Sequence, residues 1–160
     1  SINLQESKMK LSTKGRYAMV ALTDIALQSD QGLVTLSDIS KRQDISLAYL
    51  EQLFVKLRRK GLVDSVRGPS GGYRLAKSMH EIRVIDVLSA VDETVDALYK
   101  GAGASGGLSG SKSQSLTNRL WEGLSAHVYV FLHQTRLSDV IENDLMPCPA
   151  IPNIFAVVDE

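Results

Sequence analysis

The chain of 160 residues carries one cysteine, Cys148, so no intramolecular disulfide staples it. It has no apolar run long enough to span a membrane. Its first residues, Ser1 to Lys8, lack the apolar stretch of a signal peptide. Met9 reads as the natural start, with Ser1–Lys8 an extension, and a cytoplasmic protein is the simplest expectation. The usual enzyme signatures are missing too. No phosphate-cradling glycine motif, metalloprotease histidine pair or nucleophile elbow occurs. Gly68-Pro69-Ser70-Gly71-Gly72 has the composition of a nucleophile turn but joins two short strands, not a strand and a helix. Asp92, Glu93 and Asp96 lack the further oxygens that a bound cation needs. No internal repeat is visible. Apolar residues make up 44%, enough for the core of one compact domain, or of a small domain with an appended arm.

Net charge is also absent, which argues superficially against a nucleic-acid partner. Its distribution argues the other way. Met9–Lys77 holds 12 Lys/Arg against 6 Asp/Glu, whereas Ser78–Glu160 holds 5 against 11. A basic front half and an acidic back half suit a polyanion bound by the front.

The expected fold is mainly α with a small β-hairpin. Tyr17, Val20, Ala21, Ile25 and Leu27 recur at helical spacing and predict a first helix over Thr13–Gln28. Thr35-Leu36-Ser37-Asp38 opens a short second helix reaching Arg42. Asp44 marks a turn, and Ser46 caps a third helix with Leu47, Leu50, Leu53, Phe54 and Leu57 on one face. Gly61 stands where a helix-terminating glycine belongs. Leu62–Arg67 alternates as a strand does, Gly68–Gly72 is a turn, and Tyr73–Leu75 returns. Ile85–Val91 is a fourth helix. Gly and Ser supply ten of the sixteen residues from Lys100 to Ser115, too polar a stretch to bury a core. The expected boundaries are a DNA-binding unit over 9–97, a flexible Gly/Ser loop over 98–115, helices over 116–143 and an irregular tail over 144–160. In the third unit a long helix runs from Leu116 to Gln134, with Leu116, Leu120, Leu124, Val128, Phe131 and Leu132 as its stripe. Thr135 caps a short helix over Leu137–Glu142.

Two short helices, a tight turn, a longer helix and a hairpin make a winged helix-turn-helix, whose second helix enters the DNA major groove. That places Ser46, Ala48, Tyr49, Glu51 and Gln52 at the groove floor. Gln52 pairs with adenine, Glu51 accepts from cytosine, and Ala48 offers only its methyl group. Lys56, Arg58, Arg59 and Lys60 suit phosphates, which supply affinity without sequence choice. Arg67 stands at the base of a turn formed by Gly68, Ser70 and Gly71 and suits a narrow minor groove. Lys14 and Arg16 add further phosphate contacts.

At these positions the sequence resembles a known family. Met9-Lys10-Leu11-Ser12-Thr13-Lys14-Gly15-Arg16-Tyr17-Ala18 is similar to the opening of the bacterial Rrf2 family of transcription regulators. Ile45–Phe54 followed by Leu57-Arg58 resembles its recognition helix, and Val66–Tyr73 its wing. Val91–Ala97 resembles the iron–sulfur cluster-binding branch of that family. The resemblance implies a homodimeric winged-helix repressor or activator of double-stranded DNA, working with RNA polymerase. It gives the DNA-reading roles to Glu51, Gln52 and Arg67, and Ala48 departs from the serine common in that branch. It also implies a 2Fe–2S cluster held by three cysteines and a histidine between the fourth and the long helix. Here Lys100 stands at the first cysteine, the Gly/Ser loop contains none, and Asn118 replaces the histidine. The cysteines are missing either naturally or by engineered replacement, and only under replacement are Ser105, Ser113 and Ser115 the former cysteine positions. Iron in such clusters takes thiolates, with imidazole as an occasional substitute. Cys148 remains the single candidate ligand, its two copies in a dimer sharing one cluster or each working with His127, His133 or a carboxylate. The two histidines lie six residues apart and on different helix faces, and His80 has no evident partner.

The apolar stripe of the long helix must be buried either on its own domain or against a twin. A twin places two recognition helices one DNA turn apart on a palindromic operator.

Overall fold

The structure is a computed structural model that describes residues 13–93 and 111–145. Helix α1 (Thr13–Leu27) is the central strut and buries Ala18, Ala21, Leu22 and Ile25. A short 3₁₀ turn (Ser29–Gln31) and Gly32, at φ +94°, reverse the chain. Helix α2 (Leu36–Gln43) starts where the Thr35 hydroxyl accepts the Asp38 N–H at 3.1 Å. Asp44, in the left-handed region, then turns the chain, and the Ser40 hydroxyl donates across that turn to the Ile45 carbonyl at 2.5 Å. Helix α3 (Leu47–Arg59) begins at Ser46, whose Oγ accepts the Tyr49 N–H. Its apolar stripe, Leu50, Leu53, Phe54 and Leu57, is buried, and Gly61 releases the chain at φ +72°.

Strands β1 (Val63–Val66) and β2 (Gly72–Leu75) pair antiparallel, Val63 opposite Leu75 and Val66 opposite Gly72. The hairpin is anchored twice. Val34 exchanges both backbone hydrogen bonds with Tyr73, and the Tyr73 ring meets Phe54 edge-on at 4.8 Å. Helices α4 (Val84–Ala90), α5 (Lys112–Gln134) and α6 (Leu137–Ile141) follow. Helix α4 packs on α1, α3 and α5, and Leu137 of α6 is fully buried in the same core.

A backbone clamp joins the end of α5 to the start of α4. Val84 N–H donates to Thr135 O at 2.9 Å, Leu137 N–H donates to Ile82 O at 2.8 Å, and Arg83 Nη1 donates to His133 O at 2.7 Å. The last of these places a cation on the carbonyl end of α5, where the helix dipole favours it.

Five local expectations change. Val20 and Leu27, counted in the apolar stripe of α1, are 38% and 62% exposed, because the buried face of the helix runs through Ala18, Ala21, Leu22 and Ile25. Helix α5 starts at Lys112, not near Leu116, because the Ser111 hydroxyl accepts the Gln114 N–H and caps it there. Residues 112–115, assigned to the loop, are therefore helical. Helix α4 runs one residue ahead of the expected span, the Asp86 carboxylate taking the Arg83 N–H. Thr135 closes α5 instead of capping α6: its hydroxyl donates to Phe131 O at 2.6 Å, and Arg136 holds the cap position of α6. Leu47 is 42% exposed, off the buried stripe, because the helix has only just begun at this position and no element covers it.

One buried charge ties the first two helices together. The Asp24 carboxylate on α1 receives Arg42 Nε at 3.0 Å, Arg42 Nη2 at 2.6 Å and Gln43 Nε2 at 2.8 Å. Burial alone raises a carboxyl pKa. Here the Arg42 and Gln43 hydrogen bonds outweigh it and hold Asp24 below the ordinary value near 3.8. Folding thus favours the ionised form, so the stabilisation is complete above that value and is lost as pH falls through the lower folded one. Asp24→Asn is expected to lower stability at pH 7 by about 1–3 kcal/mol, read from urea midpoints. The gap to the unaltered chain should narrow below pH ~4; a gap that is constant with pH contradicts the assignment.

Candidate nucleic-acid interface

With one stripe of α3 turned inward, the opposite stripe is fixed. Ala48, Glu51, Gln52, Val55 and Arg59 follow the three- and four-residue steps of a helix face, and all are exposed. Glu51 and Gln52 are thus free to meet a ligand approaching end-on. Ser46 is exposed, but its hydroxyl already caps α3. Tyr49 is half-buried against Tyr17, ring centroids 5.6 Å apart and nearly perpendicular. Burial, reinforced by the nearby Glu93 carboxylate, pushes its phenol above the usual range. Tyr49 therefore braces α3 on α1 and keeps its proton at neutral pH.

The basic run divides. Arg59 and Lys60 are exposed, and Arg58 leans on the wing through Ser65 Oγ at 3.4 Å. Lys56 is engaged differently: its Nζ lies 2.8 Å from Asp92 Oδ2. In the wing, Arg67, Gly68 and Ser70 are exposed at the tip, with Gly68 at φ +116°. Gly71 donates to Gly68 O at 2.9 Å, and a Cβ there would overlap the Val66 carbonyl. Its smallness serves the turn itself before any ligand.

At the start of α1, Arg16 is exposed and Lys14 is half-buried, with Lys14 Nζ donating to the Asp92 carbonyl at 3.2 Å. Beside it, the Gly15 N–H donates to Glu93 Oε2 at 3.0 Å. A carboxylate at the positive end of a helix satisfies an otherwise unpaired N–H and favours the dipole. In the sequence, Asp92 and Glu93 figure as part of a family-like stretch and as cation ligands without further oxygens, not as a structural joint. The structure makes them the joint between the end of α4, the start of α1 and α3. The one available signal was an acidic pair directly after a short helix.

No described residues form a group of three or more His, Cys, Asp or Glu able to hold a metal. His80, His127 and His133 are exposed, and His133 stacks on Tyr129 at 5.8 Å. Asn118 is half-buried on α5, and Ser113 and Ser115 are exposed in its first turn. Cys148, Lys100 and Ser105 lie outside the described residues. The donor set of one thiol per chain, with an amide at position 118, does not fit a cluster of three thiolates and an imidazole. No helix of the described residues is long and apolar enough to cross a membrane.

The profile of the Rrf2 family, "Iron-dependent Transcriptional regulator", matches residues 11–143. The HTH-type transcriptional regulator IscR of Cereibacter sphaeroides is 71% identical over 154 residues, which cover 95% of this chain and 99% of that regulator. Among solved structures, T. potens IscR superposes with a TM-score of 0.66 at 34% identity, covering 89% of this chain and 95% of the other. CymR, the global cysteine regulator of B. subtilis, superposes with a TM-score of 0.73 at 29% identity, covering 85% and 98%.

Gly15 separates two opposing effects. Helix propensity alone favours Gly15→Ala by about 1 kcal/mol. An added Cβ, however, falls 2.8 Å from Glu93 Oε2 and 3.0 Å from Leu88 Cδ2. The overlap is expected to win and lower the thermal midpoint; a raised midpoint means that Glu93 moves aside without loss.

Proposed function

The chain belongs to the Rrf2 family of iron-dependent transcriptional regulators, and from that premise we propose that it reads duplex DNA as a homodimer through the outer face of α3 and the tip of its wing. It is a DNA-binding transcriptional regulator, and the reading adds which residues do the work. The observation that carries it is the row of exposed Ala48, Glu51 and Gln52 on α3, flanked by Arg59 and Lys60 and set beside a wing tip bearing Arg67. Gln52 matches the adenine edge in the major groove and Glu51 the cytosine amino group. Arg59, Lys60 and Arg16 face phosphates. Arg67 enters the adjacent minor groove.

Dimerisation rests on α5. None of its 23 residues is buried within one chain. Leu116, Leu120, Trp121, Leu124 and Phe131 all stand exposed. A Leu or Phe left in water forfeits about 1.5–3 kcal/mol. A self-complementary apolar helix answers that by pairing about a two-fold axis. The symmetry then presents two copies of α3 to a palindromic operator.

Binding-site selection from random duplexes tests both parts. The unaltered chain should recover palindromes. Gln52→Ala should relax preference at one base pair per half-site, a change of about 1–3 kcal/mol there. Arg67→Ala should weaken binding chiefly at A·T-rich flanks, and Leu120→Glu should yield a monomer that no longer selects palindromes. Unchanged preferences in the first two variants would remove α3 and the wing as the reading surface.

The reading also makes DNA binding independent of a resident cluster, because Cys148 offers too few thiolates to replace the family set. Anaerobic purification should give a colourless, iron-free chain that still binds duplex. Visible absorption that disappears in Cys148→Ala would instead reveal a cluster held by this thiol, and absorption retained in that variant would assign iron to histidines or carboxylates.

A further inference from the structure

Beside the cations of α3 stands an acidic group that, unlike Glu51, has no base edge assigned to it. Asp92 follows α4 with its side chain 70% exposed, and its Oδ2 holds Lys56 Nζ of α3 at 2.8 Å. The backbone carbonyl of the same residue accepts Lys14 Nζ from the start of α1 at 3.2 Å. Lys60 also acts on the carboxylate, and together these ammonium groups, Lys56 foremost, hold it below its usual range. Asp92 reaches this position because its backbone is left-handed, at φ +59°. Side chains seldom adopt that conformation, and Asp and Asn are among those that do. Asp92 thus joins Lys56 through its carboxylate and Lys14 through its carbonyl, with the charge of Lys60 acting on the same carboxylate.

Within the reading of α3 as the DNA-binding helix, we infer that Asp92 is a built-in competitor for backbone phosphate, occupying Lys56 and restraining affinity for duplex of any sequence. Binding that rests on phosphate neutralisation scales with the number of cations released to the backbone. Lys56 occupies the edge of the reading face, one turn beyond Gln52. A phosphate reaching it must displace Asp92 or approach a fixed negative charge, and either costs affinity that carries no base information. The contact brings together residues 36 apart in sequence. It also qualifies the plain expectation that Lys56 grips phosphate: that lysine is already engaged.

The test uses the full chain and a random-sequence duplex, with anisotropy titrations over a range of salt. Asp92→Asn keeps the side-chain shape and suits the left-handed backbone. Asp92→Gly is a second variant that removes the carboxylate without strain. Both should bind random duplex about tenfold more tightly at low salt, and log affinity should fall more steeply with log salt by about one unit. In a Lys56→Ala background the gain should largely vanish. Unchanged or weaker binding in both folded variants overturns the inference, and so does an undiminished gain without Lys56. Failure of the unaltered chain to bind any duplex is a different result: it removes the DNA-binding reading itself.

Discussion

Burial of Leu50, Leu53, Phe54 and Leu57 decides which way α3 faces, and much else follows from that. A helix has a single surface to spend on its domain. Once those four side chains are sunk against α2, β1 and α4, Ala48, Glu51 and Gln52 have nowhere to point but outward. Phe54 extends the constraint to the wing, because its ring packs on Tyr73 and Tyr73 is paired in turn with Val34. The exposed face of α3 and the wing tip are thus held relative to each other by apolar contact instead of by the loops that join them. Asp24 adds a directional element. Hydrophobic burial tolerates some sliding, but a carboxylate gripped from two directions by Arg42 and from a third by Gln43 does not.

Much of this was legible in the sequence because it is local. The caps at Thr35 and Ser46, the glycine at 61 and the alternation before Gly68 each act within a few residues and stand where the pattern put them, while the apolar steps of α1 and α3 located both helices but not every buried position: Val20 and Leu27 are exposed, and Ala18 and Leu22 are buried in their place. The parts that escaped are those where a distant partner decides. Lys56 reads as one more cation of a basic run until Asp92 arrives from beyond α4. Nothing near Gly15 in the sequence announces that Glu93, 78 residues on, takes its N–H. Leu47 fits the apolar period yet remains in solvent, since period states a direction and not whether anything lies there. The start of α5 was hidden by composition, because a run rich in Gly and Ser obscures the one serine whose hydroxyl caps a helix.

The acidic pair after α4 and the apolar face of α5 contrast in what they need. Asp92 and Glu93 are satisfied within one chain, by Lys56 and by the Gly15 N–H. The face of α5 is not. Two further apolar side chains on α1, Val20 and Leu27, are also exposed and line a cleft of about 390 Å³ reaching Val140 near the end of α6. The polar needs of this joint are thus met within one chain while apolar surface is left open, the division on which the proposed pairing of two chains draws.

The clamp between residues 82–84 and 135–137 has a geometric consequence. It ties α5 to α4 by main-chain hydrogen bonds, and α4 rests on α3. Helix α5 has 23 residues, so at about 1.5 Å per residue it is roughly 34 Å long. A tilt of about 10° at the clamp moves its far end by about 6 Å, close to the rise of two base pairs at about 3.4 Å each. In the proposed dimer the spacing between half-sites is therefore set at this joint, away from the residues proposed to read bases. Substitutions at Arg83 or Thr135 would act on the number of base pairs between the half-sites, leaving their letters unchanged.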